Sequence, residues 1–200
     1  PAARWRPSRE RVYLTRFMKV MAGGLLHLLR LGGARFVLTG AIRTDAPVLI
    51  VMNHQSLIDI LTLTMMSGPQ APAFVTRSRY ARFVPAVSPA VRMLGGPIVN
   101  PSRDPRGSVA AVREAAPRQR YGLILFPESH RSKDGEIQPF KTAGAQATLS
   151  AHPMPVEVVV TDGGWKSRRL VDFIFNVHRL RVRTEVLGRF EPPAEEGQIP

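Results

Sequence analysis

Short apolar runs that end in polar residues recur along the chain and alternate with stretches of helical spacing. Residues 36–39, 48–52, 73–76, 123–126, 156–160 and 180–187 have the length and composition of buried strands. Apolar residues at helical spacing lie between them, over 57–67, 106–116 and 140–150. This alternation predicts an α/β fold, a mixed sheet flanked by helices.

The chain begins with a segment of different character. Residues 10–31 carry apolar side chains at helical spacing, with basic side chains around them at Arg9, Arg11, Arg16, Lys19 and Arg30. A basic amphipathic helix of this kind can lie in a bilayer interface, and the same stripe would also serve a helix packed on a domain core. Both interpretations stay open, and one helix could do both. We therefore divide the chain into an N-terminal basic amphipathic helical segment, 1–34, and a main domain, 35–200.

Composition limits the chemistry and the partners. The chain has no cysteine, which excludes disulfides, thiolate catalysis and cysteine-ligated metal. The five histidines are not at metal-ligand spacings, so we predict no metal site. A formal net charge of +13 favours an anionic partner such as a membrane surface, nucleic acid or phosphorylated substrate, although a generally basic surface would give the same value. No stretch reaches the roughly 18 uninterrupted apolar residues of a membrane-spanning helix.

A histidine and an aspartate follow the apolar run 47–53, five positions apart. His54 stands where the strand should leave the sheet, and Asp59 lies one helical turn further on. Ligands bind at strand ends in open α/β sheets, so the pair has the parts of a general base and its orienting group. The alternative is structural, because Ser56 and Asp59 also form a capping-box-like pattern at the start of a helix.

Three further segments have the same strand-to-loop character. The run 122–126 opens into Pro127-Glu128-Ser129-His130-Arg131-Ser132, and Phe140-Lys141-Thr142 follows shortly after. Gly95-Gly96-Pro97-Ile98-Val99-Asn100 precedes Arg103, and a late Pro155-Val156 strand ends near Trp165. There is no Gly-x-Ser-x-Gly elbow and no nucleotide-binding glycine fingerprint in the chain.

In this order the segments resemble the glycerolipid acyltransferases of the lysophosphatidic acid acyltransferase type, over about residues 48–165. That family carries Asn-His-x4-Asp, a glycine-isoleucine strand ending near an arginine, a Phe-Pro-Glu-Gly-Thr-Arg-Ser loop and a late Val-Pro-Val strand. The resemblance implies that His54 and Asp59 are catalytic and that Glu128 and Arg131 bind the acceptor. Ser129 and His130 replace the family's glycine and threonine, and we expect them to contact the acceptor too. Arg103 and Lys141 are further candidates for binding a phosphate.

The function expected from these observations is transfer of a fatty acyl group from an acyl thioester to the hydroxyl of a lyso-glycerolipid such as lysophosphatidic acid. The donor would be acyl-coenzyme A or acyl carrier protein, and no cofactor is expected. We expect peripheral attachment to an anionic membrane surface, at the cytoplasmic face of an inner membrane, and no nucleic-acid partner. Two alternatives stay open: an acyltransferase with an amine- or sugar-bearing lipid acceptor, and a non-catalytic basic module that binds membrane or nucleic acid.

Overall fold

A computed structural model describes residues 9–81, 87–167 and 175–192. Five α-helices lie wholly within these residues: Arg9–Leu31 (α1), Ile58–Met66 (α2), Val87–Leu94 (α3), Pro105–Ala115 (α4) and Ala143–Ala151 (α5). The strands are Arg35–Thr39 (β1), Leu49–Met52 (β2), Ala73–Phe74 (β3), Thr76–Arg77 (β4), Ile98–Val99 (β5), Leu123–Leu125 (β6), Val156–Asp162 (β7) and Arg181–Phe190 (β8). The predicted α/β class, with a sheet flanked by helices and an N-terminal helix, is confirmed.

Six strands form the main sheet, in the order β1-β8-β7-β2-β6-β3. Strands β7, β2, β6 and β3 are mutually parallel, whereas β8 runs antiparallel to β7 and parallel to β1. The sheet is therefore mixed. The carboxyl ends of β2, β6 and β7 meet at one edge, which is where ligands bind in sheets of this kind.

The neighbouring strands β2 and β6 consist of apolar residues only, and helices cover both of their faces. Leu49, Ile50, Leu123 and Ile124 are fully buried, as expected for parallel strands in the middle of an α/β sheet. Helices α1 and α2 pack together beside Phe36 and Val182, and α5 approaches Leu125 at Gly144. The pairing of the strands places Phe36 and Val182 on one face of the sheet and Leu125 on the other. Helices α1 and α2 therefore cover one face, and α5 covers the other.

Most predicted elements differ from the observed ones by one to three residues at an end, and two of the differences have a visible cause. The single strand predicted over 73–76 is divided at Val75, because the next amide, that of Thr76, donates to the Pro97 carbonyl and pairs with β5 rather than with the main sheet. The helix predicted from residue 140 begins at Ala143, because the Lys141 amide donates to the Pro127 carbonyl instead of entering a helix. Residues 1–8 of the predicted N-terminal segment, and residues 82–86, 168–174 and 193–200 of the predicted main domain, lie outside the described residues.

Helix α1 packs on the domain with one face. Leu14, Ala22 and Leu26 are buried, and Gly23 faces the Met65 side chain of α2. No helix among residues 9–81, 87–167 and 175–192 is long and apolar enough to cross a bilayer. The division of the chain at residues 34 and 35 stays a prediction.

Two basic side chains of α1 point toward the protein rather than toward solvent. Arg11 donates to the carbonyls of Ala71, Met93 and Leu94, at 2.9, 3.4 and 3.2 Å. Lys19 donates to the Ser67 carbonyl at the end of α2, at 2.6 Å. Both cations thus satisfy carbonyls at helix C-termini, where positive charge is favourable. Two of the basic side chains of this predicted amphipathic helix therefore lie on its inner side.

Candidate active site

The site begins where β2 leaves the sheet. Asn53 follows the strand and is buried, and its side-chain amide exchanges two hydrogen bonds with the backbone of Thr161 in β7, at 2.9 and 2.8 Å. This pairing extends the β2–β7 ladder through a side chain. It fixes the point at which the chain turns toward His54.

The predicted histidine and aspartate are in direct contact. His54 Nδ1 lies 2.8 Å from Asp59 Oδ2, and the Asp59 side chain is completely buried, whereas 16% of the His54 side chain is exposed. A carboxylate can only accept, so the proton of the neutral imidazole resides on Nδ1. The lone pair of Nε2 is then available on the other side of the ring.

Asp59 Oδ2 also accepts from two backbone amides. Those of Gln55 and Ser56 donate to it at 2.7 and 2.8 Å. Asp59 therefore serves the turn before α2, as the structural interpretation predicted, and holds the imidazole through the same oxygen. Three donors converging on one carboxylate oxygen give the pair a fixed geometry.

The His54 ring is also held by its face. Phe126 stacks on it with a centroid separation of 4.0 Å and an interplanar angle of 22°. Phe126 directly follows β6, the strand next to β2 in the sheet. The imidazole is thus confined by a hydrogen bond at its edge and an aromatic ring on its face.

The residues after His54 fasten the turn to neighbouring loops. Gln55 is buried, accepts from the Gly164 amide at 2.9 Å and donates to the Gly135 carbonyl at 3.1 Å. Ser56 donates to the Ser167 carbonyl at 2.8 Å. The loops after β2, β6 and β7 are therefore tied to one another around His54.

The loop after β6 contains the four consecutive residues, 128–131, that the sequence predicted to bind substrate. Glu128 is 1% exposed, and its carboxylate accepts from the His54 amide at 2.7 Å and from the Gln138 amide at 2.9 Å. Ser129 has a φ of 62°, in the left-handed region, at the position of the family's glycine. That backbone conformation is the one a glycine adopts freely.

Two side chains that the sequence did not single out as site residues support this loop. Arg77, at the end of β4, donates to the Ser129 carbonyl at 2.7 Å. Tyr80 accepts from Arg131 through its hydroxyl at 3.3 Å and also lies under the Arg79 guanidinium. Arg77 follows the short strand run 73–76, so its position at a strand end was the available signal. Tyr80 carried no signal of this kind.

Three of the predicted substrate-binding residues have exposed side chains. His130 is exposed between the half-buried Ser129 and Arg131. Lys141 is exposed, with its backbone held to Pro127. Arg103 is exposed in the turn after β5, a strand in which Val99 pairs with Arg77. The structure thus joins His54, Asp59 and Glu128 by direct hydrogen bonds, whereas Arg103, His130 and Lys141 make no side-chain hydrogen bond or ion pair within the described ranges.

The chemistry available here is proton transfer. No group of three or more metal-ligating side chains lies together within the described residues. The His54 ring has one nitrogen bonded to a buried carboxylate and the other without a hydrogen bond to any described residue, which is the arrangement of a general base. The chain has no cysteine, and its sequence has no serine elbow, so these two nucleophiles for a covalent intermediate are missing. The simplest use of the base is to activate an acceptor that attacks the donor directly.

Comparisons with known proteins identify the family of the chain. The family model described as Acyltransferase matches residues 35–161, more than half of the chain. The chain belongs to the acyltransferase family. This membership confirms the resemblance seen in the sequence motifs.

Individual relatives are consistent with that assignment. The chain is 33% identical over 126 residues to a chloroplastic 1-acyl-sn-glycerol-3-phosphate acyltransferase of Brassica napus, covering 62% of this chain and 35% of that protein. It is 35% identical over 119 residues to a chloroplastic enzyme of the same name in Arabidopsis thaliana, covering 56% of this chain and 32% of that protein. The chain thus spans about a third of the length of these curated relatives.

A solved structure has the same fold. The crystal structure of the 1-acyl-sn-glycerophosphate acyltransferase PlsC from Thermotoga maritima superimposes with a TM-score of 0.74, covering 96% of this chain and 76% of that one. The sequence identity is 21%. The mixed sheet and its helices are therefore shared with that protein.

Proposed function

We propose that this chain transfers a fatty acyl group from an acyl thioester to the hydroxyl of a lyso-glycerolipid, with His54 as the general base. The observation that carries the proposal is the 2.8 Å contact between His54 Nδ1 and the buried Asp59 carboxylate, which leaves Nε2 free. The acceptor class comes from the relatives, which are named as acyltransferases of 1-acyl-sn-glycerol-3-phosphate.

The proposed step requires one base. The acceptor hydroxyl gives its proton to His54 Nε2 while its oxygen attacks the thioester carbonyl carbon. The tetrahedral intermediate collapses, the carbon–sulfur bond breaks, and the imidazolium returns the proton to the departing sulfur. Asp59 stabilises the imidazolium and keeps the ring in the required tautomer. A thioester needs little help in leaving, so one base and precise positioning suffice.

The acceptor head group would lie beside the 128–131 loop. Arg131 is half-buried there, and a guanidinium suits phosphate because its fork donates two parallel hydrogen bonds. Lys141, whose amide donates to the Pro127 carbonyl, and Arg103, in the turn after β5, are exposed cations. Ser129 and His130 complete the proposed contacts.

Labelled acyl thioesters offered with a panel of acceptors test this function. We expect labelled product with lysophosphatidic acid and no label retained on the protein, since direct transfer forms no acyl-enzyme. Parallel assays with acyl-coenzyme A and acyl carrier protein identify the donor. Label on the protein in the absence of acceptor would contradict direct transfer, and absence of product with every acceptor and both donors would contradict the function.

A second acceptor class is favoured by one observation. His130 is exposed at the family's threonine position, and an imidazole can be neutral or charged near neutral pH. An amine- or sugar-bearing lipid is therefore the alternative acceptor. His130→Thr should change the ranking of acceptors while transfer persists. The ratios of kcat/KM between acceptors should change by an amount equivalent to at most about 3 kcal/mol of transition-state free energy. An unchanged ranking would show that His130 does not select the acceptor.

We also propose that the chain attaches peripherally to an anionic membrane, at the cytoplasmic face of an inner membrane, through the outer face of α1. Seven large apolar side chains are exposed along that helix: Tyr13, Phe17, Val20, Met21, Leu25, Leu28 and Leu31. Arg9 and Arg16 are exposed on the same helix. An apolar helical face beside cations suits the interface of an anionic bilayer.

Vesicle binding tests the attachment with matched variants. Phe17 and Leu28 on α1 are 62% and 63% exposed, and Phe190 and Leu187 on β8 are each 60% exposed. Changing the first pair to serine should reduce binding to anionic vesicles, whereas the same changes in the second pair should not. Binding should also weaken as salt rises. Equal loss from both pairs, or equal binding to neutral vesicles at all salt concentrations, would contradict the proposal.

A further inference from the structure

The Glu128 carboxylate is used inside the protein. The residue is 1% exposed, and each of its oxygens accepts a backbone hydrogen bond: Oε1 from His54 at 2.7 Å, and Oε2 from Gln138 at 2.9 Å. A buried charge needs such donors to offset its lost hydration. A group whose oxygens face two backbone amides, away from solvent, is poorly placed to bind a head group that arrives from solution.

The same loop holds His54 at three points. Glu128 accepts from the His54 amide, the Ser132 amide donates to the His54 carbonyl at 2.7 Å, and Phe126 stacks on the ring. Both polar backbone groups of His54 are therefore bonded to the segment that follows β6. Strand β2 alone does not set the position of the imidazole, since the chain has left the sheet after Met52.

We propose that Glu128 is a positioning residue for His54 rather than a ligand of the acceptor, and this inference rests on the proposed function in which His54 is the base. The Glu128 carboxylate links the His54 turn to the segment around Gln138. Asp59 fixes the tautomer of the ring by bonding to Nδ1 at its edge, whereas Glu128 fixes the position of the backbone that carries the ring. Reactions of this kind are sensitive to such placement, because a shift of about 1 Å can cost roughly 10²-fold in rate.

Glu128→Gln separates the two roles. Glutamine has nearly the same shape, but its carbonyl oxygen can accept from one of the two amides while its amino group faces the N–H of the other. We expect kcat to fall by roughly 10- to 100-fold, with the acceptor KM changed by less than about 2-fold, since no acceptor contact is lost. The matched control is Glu136→Gln, an exposed carboxylate in the same loop, which should leave both constants unchanged.

A spectroscopic measurement distinguishes positioning from loss of folded protein, which would also lower the apparent kcat. The chain has five histidines, so nitrogen-15 labelling of histidine gives few signals. In Glu128→Gln we expect the amide and ring signals of His54 to move while those of His27 and His152 stay. Glu128→Asp, which keeps the charge but shortens the side chain, should give the same pattern and serves if the glutamine variant does not fold.

Two results would overturn this inference. A raised acceptor KM with unchanged kcat would mean that Glu128 binds the acceptor. Unmoved His54 signals in a folded Glu128 variant would mean that Glu128 does not position the base. Failure of the proposed function is distinguishable from both, because it would appear as full activity in His54→Ala.

Discussion

At the scale of single residues, Asp59 combines two tasks that usually fall to different side chains. One of its oxygens accepts from the His54 ring and from two backbone amides. The spacing of His54 and Asp59 in the sequence predicted their contact, because five positions across a turn bring the two side chains together. The sequence could not decide between a capping role and an orienting role, and the structure shows that one oxygen serves both.

Asp59→Asn tests the orienting role. All three donors point at Oδ2, so an amide oxygen in its place can still accept from the Gln55 and Ser56 amides and from Nδ1, but it carries no negative charge to stabilise the imidazolium that forms during transfer. We expect kcat to fall by at least about 10²-fold with the fold retained. Turnover and the circular dichroism melting curve, measured together, check this. A variant with near wild-type turnover would show that Asp59 acts in folding alone.

Ser129 stores strain at the edge of the site. Its φ of 62° is costly for a residue with a side chain. Ser129→Gly should therefore stabilise the domain by about 1 kcal/mol, after allowing for the added freedom of glycine in the unfolded chain, which corresponds to a rise in Tm of roughly 2–4 °C. Calorimetry of the two proteins measures it. A lower Tm would mean that contacts of the serine side chain outweigh the strain.

At the scale of elements, α1 shows how charge and packing are separated on one helix. Its spacing predicted a helix over 10–31, and the structure has it over Arg9–Leu31. The sequence could not show which basic side chains face inward, because that depends on where α2 and α3 end. Arg11 bonds to the last residues of α3, and burial lowers the pKa of its guanidinium by desolvation.

Arg11→Ala measures the value of these contacts. It leaves the carbonyls of Ala71, Met93 and Leu94 without their cationic donor. We expect a loss of about 2–3 kcal/mol in the free energy of unfolding, the range for hydrogen bonds to a charged group. Arg16→Ala is the matched control, since Arg16 is exposed on the same helix, and it should change the free energy by less than about 0.5 kcal/mol. Urea unfolding that gives equal losses for both variants would contradict this account of α1.

At the scale of the whole molecule, the site depends on strand order. Strands β2, β6 and β7 are adjacent and parallel, so the loops that follow them meet around His54. Individual runs predicted the strands, and their polar ends predicted the site. The order of the strands is not contained in any single run, so the sequence could not show which neighbouring loop the Glu128 carboxylate would reach. Once β6 lies beside β2, its carboxylate reaches the His54 amide.

The same argument explains what the sequence missed. Arg77 contacts Ser129 only because the chain leaves the main sheet after Phe74 and pairs with β5. Gln55 stands between two motif residues and looked like a spacer, yet it joins the loops after β6 and β7. Contacts of this kind link residues more than 50 positions apart, and local patterns carry no record of them.

The most direct test of the central claim is the turnover of His54→Ala on the acceptor that the panel identifies. His152→Ala is the matched control, because His152 follows α5 and lies beside Pro47 and Arg120, at the opposite end of the sheet. We predict that His54→Ala lowers kcat by at least about 10²-fold, with the circular dichroism spectrum unchanged, and that His152→Ala has wild-type turnover. A folded His54→Ala protein with near wild-type turnover would contradict the assignment of His54 as the base.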